Sequence, residues 1–147
     1  GVVGSELCIR DRFRSGELMA YYEADRRIYR LAAQDEARHV AFGVMHMRYL
    51  SEIEPERREE VHCYLDEGER GLVAGNQNPT SIDTPASEAM AILLGGGVKN
   101  YDEGARKLMA IRRRQVKEYV QRIRSAGYGD RFTNGRAIPE IMQFIQN

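Results

Sequence analysis

The residues best spaced for chemistry lie in the run Asp35-Glu36-Ala37-Arg38-His39, where a carboxylate and an imidazole stand three positions apart. On a helix, at ~100° per residue, side chains at i and i+3 project together, so one carboxylate oxygen and one imidazole nitrogen can reach the same ion. Around them Ile28, Tyr29, Ala32, Val40, Gly43, Met47 and Leu50 recur at steps of three and four, which sets the pair inside an apolar stripe. A buried carboxylate without a partner costs several kcal/mol, so Glu36 needs a cation, a hydrogen-bond network or a metal.

A second acidic residue fits the same purpose. Val2, Glu6, Ile9 and Phe13 share a face by i, i+4, i+7, i+11 steps, which makes Glu6 a candidate ligand from a preceding helix. Glu6 and Glu36 are 30 residues apart, so a turn near Tyr21 would place both at one level, each ~22 Å from the turn at 1.5 Å per residue. A turn at Ser15-Gly16 would offset them by ~15 Å, so the site requires helix through Gly16.

The spacing has its own control within the chain. Glu59 and His62 repeat Glu-x-x-His, but their face continues through Pro55, Asp66 and Glu69, away from the Val61 and Leu65 stripe. Both are therefore expected at the surface. His46, two turns beyond His39, is expected as a hydrogen-bonded core histidine, with Met45, Met47 and Tyr49 as packing residues.

The elements that must position these groups are helices throughout. No strand-like alternation or internal repeat occurs, and the chain reads as one all-α domain over 1–147. Residues 1–50 form a helical hairpin, with Asp25 as the N-cap of a second helix ending near Leu50. Residues 51–147 add further helices and a C-terminal tail. A third helix begins at Pro55, Gly75 to Pro85 is a loop, and a short helix ends at Gly95-Gly96-Gly97. A long helix covers Tyr101 to Ala126, and Pro139 opens a last apolar helix that docks on the bundle or a partner.

Charge excludes some partners. Lys plus Arg equals Asp plus Glu at 22 each, which removes the overall attraction that nucleic-acid binding needs. Apolar runs stay below the ~18 residues of a membrane span and no signal segment leads the chain, which points to a cytoplasmic protein. Cys8 and Cys63 lack metal-ligand spacing and are expected as buried thiols. Ser51 to Leu72 is acidic (net −5) and Asn100 to Ala126 basic (net +5), so those two helices are expected to lie together. Arg112-Arg113-Arg114 reads as a solvated face. The opening Gly1-Val2-Val3 lacks an initiator Met, as a fragment would.

The run Asp35-Glu36-Ala37-Arg38-His39-Val40-Ala41-Phe42-Gly43 resembles the fourth-helix signature of ferritin-like di-iron proteins, a superfamily of oxygenases, ferroxidases and reductase subunits. The resemblance covers about residues 1 to 50. It implies Glu36 and His39 as metal ligands, Asp35 as a residue that steadies a ligand histidine, and, by spacing, Glu6 as a third ligand. The family's other Glu and Glu-x-x-His come from two earlier helices that this chain does not contain, so half the site is missing. Some N-oxygenating members carry another His one turn before the signature Glu, where this chain has Ala32.

The resemblance therefore implies a ferritin-like helical bundle, truncated or completed by a homodimer of two hairpins, with a di-iron or di-manganese centre. The implied activity is that of a dioxygen-activating di-iron oxidoreductase of oxygenase or ferroxidase type, acting on a small molecule, without nucleic-acid or membrane partners. The competing expectation is a metal-free helical oligomerisation module in which Glu36 and His39 satisfy each other or a nearby Arg.

Overall fold

The computed structural model describes residues 2–74 and 80–146, without the side chains of 2–9, 11, 72, 74 and 146. The described residues are helical, in the order α1 (Val2–Met19), α2 (Glu23–Ile53), α3 (Arg58–Ala74), α4 (Pro85–Gly95), α5 (Tyr101–Ser125) and α6 (Pro139–Gln146). Short 3-10 turns at Pro55–Arg57, Val98–Asn100 and Gly129–Phe132 link them. None of the described helices is long and apolar enough to cross a membrane.

Helices α1 and α2 form the hairpin expected from the sequence, with the reversal at residues 20–22. Helix α2 starts three residues earlier than a cap at Asp25 would set it. Extended Tyr22 is its N-cap, and Glu23 and Asp25 both lie in its first turn, beside the positive end of the helix dipole. The hairpin closes tightly because Gly16 has no side chain: a Cβ there would lie 2.6 Å from the Tyr29 ring.

Helix α4 opens with Thr84, whose Oγ1 accepts a hydrogen bond from the Ser87 N–H at 3.2 Å, and Pro85 follows in the first turn. It closes on Gly96 at φ 77°, where the N–H groups of Gly96 and Gly97 satisfy the carbonyls of Leu93 and Ile92. The loop expected over Gly75 to Pro85 lies outside the described residues from 75 to 79.

Helix α5 ends in the same manner at Gly127, φ 87°, with Tyr128 N–H on the Ile123 carbonyl. That reversal sends the tail back across α3 and α5. The core consists of Met47, Leu65, Val116, Val120, Ile123, Ala126, Tyr128, Phe132, Ala137 and Ile141, so the tail supplies four of its members after Gly127.

The acidic α3 does not take its countercharge from α5 as expected. Its Glu59, Asp66 and Glu69 are matched by Arg131 and Arg136 of the tail. On α5, Glu118 instead gathers arginines from two helices: Arg14 on α1 at 2.9 Å, Arg10 on α1 at 3.6 Å, and Arg114 and Arg122 on α5 at 3.0 and 2.8 Å. Burial would raise the Glu118 carboxyl, but hydrogen bonds from Arg114 and Arg14 outweigh it and hold the group below its ordinary range. Arg112, expected in solvent, is buried and donates to the Ser81 carbonyl and the Ser87 hydroxyl, tying residues 81–87 to α5.

Candidate functional site

On α2, Glu36 and His39 converge as their spacing requires, with His39 Nδ1 3.2 Å from Glu36 Oε2. Their surroundings differ from the expected apolar stripe. Val40, Gly43 and Met47 are buried, and the Glu36 side chain is only 12% exposed, whereas that of His39 is 63% exposed. Ile28 is likewise 64% exposed. The buried face of α2 is thus rotated toward α1, leaving Glu36 at its edge and His39 outside it.

Asp35 does not steady a histidine of its own chain. It points to solvent and pairs loosely with Arg38 at 3.7 Å. His46 is not a core histidine either; it is exposed and lies parallel to Phe42, ring centres 6.2 Å apart. Met45 and Tyr49, expected to pack, are also exposed, while Met47 is buried.

The Glu6 side chain lies outside the described residues, but its place in the hairpin register follows from the backbone. Gly16 packs against Tyr29. Going back from 16 to 6 and on from 29 to 39 is the same ten-residue step, so position 6 is level with His39 and about one turn from Glu36. The hairpin thus sets the backbone of position 6 in the neighbourhood of Glu36 and His39 along its length.

The donors present suit a divalent metal by type, since carboxylate and imidazole are the ligands of iron and manganese in helical bundles. They are half of what such a centre needs. Among the described residues, no group of three or more His, Cys, Asp and Glu could hold an ion.

No family model, curated protein or solved structure that was compared with the chain matches it.

A second polar constellation, which the sequence reading missed, is centred on side chains that are deeply buried. His62, expected at the surface, is 4% exposed. Its face, His62, Asp66 and Glu69, does not look into water but onto the tail. Arg131 lies at the centre, fully buried, donating to Glu69 at 3.0 Å, to Asp66 at 2.9 Å and to His62 Nδ1 at 3.3 Å. Glu69 also accepts from the Tyr119 hydroxyl at 2.6 Å and from the Ile138 N–H at 3.1 Å. Arg136 forks onto Asp66 and reaches Glu59, which is exposed as expected.

These contacts set the protonation of the cluster. An arginine can only donate, so His62 Nδ1 must accept, which leaves its proton on Nε2, 3.6 Å from Asp130. Burial, opposed by Asp130 and reinforced by Arg136 and Arg131, lowers the His62 pKa and keeps the ring neutral. Burial raises Asp66, but the hydrogen bonds from Arg136 and Arg131 win and hold it low. Burial and the neighbouring Glu69 raise the Tyr119 hydroxyl well above its ordinary value. Every strong donor here faces an acceptor of the same chain, so the cluster is built to fix the tail. The signal available in the sequence was the run His62, Asp66, Glu69 at i, i+4, i+7, set against Arg131 and Arg136. Cys63, expected to be buried, is free and exposed beside this cluster, 3.8 Å from Glu59 Oε1 and from Arg136 Nη2.

Proposed function

We propose that this chain carries half of a ferritin-like di-metal site and that, with the other half supplied, it works as a di-iron oxidoreductase of oxygenase or ferroxidase type. The observation that supports the reading is the hairpin: Glu36 and His39 meet at 3.2 Å, and the reversal at residues 20–22 returns the helix that carries position 6 alongside them.

In this reading Glu36 and Glu6 hold metal through carboxylate oxygens and His39 through an imidazole nitrogen. A metal ion would displace the present Glu36–His39 hydrogen bond. Iron, or manganese in its place, would supply redox chemistry there, passing electrons from an organic substrate with a co-reductant, or from ferrous iron as substrate, to dioxygen. Two or three donors are too few for two ions, so a second hairpin provides the remainder in a homodimer.

The test is metal content per chain after anaerobic reconstitution with ferrous iron, on protein purified without a histidine tag. About one iron per chain is expected, falling to none in His39→Ala. Iron retained in that variant would sink the assignment.

One observation favours a metal-free oligomerisation module instead. Glu36 and His39 already satisfy each other, and His39 stands mostly in water. That reading expects no iron at all and a mass in solution that iron does not change.

A further inference from the structure

From the exposed face of α2 we infer a docking surface for a second copy of this chain, packed antiparallel. Ile28, Leu31, Phe42, Met45 and Tyr49 are 64%, 55%, 71%, 68% and 56% exposed, and they fall on one line of the helix. With Asp35 and Arg38 the line reads 28, 31, 35, 38, 42, 45, 49, alternating steps of three and four, which is the 3.5-residue seam of a coiled coil. Each of these residues remains more than half exposed. The five apolar residues offer on the order of 500 Å² per copy, and the two copies together approach the ~1,000 Å² of a specific interface.

Charge selects the occupant and its direction. Asp35 and Arg38 stand in the middle of the seam, 71% and 83% exposed. A parallel pairing sets Asp35 on Asp35 and Arg38 on Arg38. Antiparallel pairing about a two-fold axis between positions 36 and 37 sets Asp35 on Arg38 of the second copy and Arg38 on its Asp35. The same operation sets Leu31 on Phe42 and Ile28 on Met45, in both directions. A slip of one heptad either way places both charges against apolar residues, which costs their desolvation without a partner. This face is therefore complementary to itself in one register, as a two-fold interface requires.

The axis passes within one turn of Glu36 and His39, so the dimer brings the candidate ligands of both copies to the same level. That consequence alone rests on the metal-site reading; the seam and its charges do not.

The experiment measures mass in solution by light scattering, on the whole chain at tens of micromolar in EDTA, with helicity checked by circular dichroism. The wild type should have the mass of two chains. Asp35→Arg or Arg38→Asp should reduce it to one, because each reversal faces like charges across the axis. The double variant Asp35→Arg/Arg38→Asp should restore the dimer. A monomeric wild type, or a dimer that the single reversals leave intact, overturns the proposal. A dimer that assembles in EDTA yet takes up no iron keeps the interface and rejects the metal site; iron bound by a monomer does the reverse.

Discussion

Arg131 and Glu69 are 62 positions apart in sequence, yet they meet at 3.0 Å with both side chains sealed from water. The pair is the point at which the tail after α5 is fastened to α3. A buried ion pair is expensive to desolvate, and it survives here because each partner is hydrogen-bonded beyond the pair, Arg131 to Asp66 and His62, Glu69 to Tyr119 and Ile138.

Removing one partner strands the other. Arg131→Ala leaves Glu69 buried without a cation and is expected to cost about 3–5 kcal/mol in urea unfolding. The tail should also become a site of early proteolytic cleavage between Gly127 and Pro139. Unchanged stability would show that the tail is held by Tyr128, Phe132 and Ile141 alone.

Acid should loosen the same junction through His62. Its folded-state pKa lies below the ordinary 6.5, so on acidification the unfolded chain takes up a proton that the folded chain refuses. Stability is therefore full above about pH 6.5 and falls as the pH drops below it, levelling only below the folded pKa. Asp66 and Glu118, both held low, add their losses at still lower pH, around and below the ordinary carboxylate range. A thermal-melting series from pH 7.5 to 5 should slope downward in the wild type and flatten in His62→Gln. An equal slope in both would place the acid sensitivity elsewhere.

The crossing of α4 and α5 depends on Gly104. A methyl group there would overlap the Ala91 carbonyl oxygen on the facing backbone, which has no rotamer to retreat to. Gly104→Ala should lose about 1–3 kcal/mol in spite of alanine's better helix propensity. Gly71 on α3 is the control. Among the described residues nothing lies within 4 Å of its added Cβ, so Gly71→Ala should gain about 0.5–1 kcal/mol. Chemical denaturation of the two variants should move in opposite directions.

What the sequence determined by itself is local. Steps of three and four, Pro85 and Pro139 at helix starts, and glycines after α4 and α5 marked out the helices, because propensity and capping act within a turn. The hairpin was legible too, since the spacing of Glu6 and Glu36 demanded helix through Gly16 and a reversal near Tyr21, where it occurs.

The tertiary structure alone decided which faces are buried. Periodicity places residues on one side of a helix but does not say what that side meets. On α2 the neighbouring α1 turned the buried face toward Val40, Gly43 and Met47, leaving His39, Met45 and Tyr49 in water. On α3 a polar face became interior because Arg131 and Arg136, brought back by the turn at Gly127, cancel its charge. Burial of a charge is settled by a partner that can lie sixty residues away, and no pattern within one helix contains it.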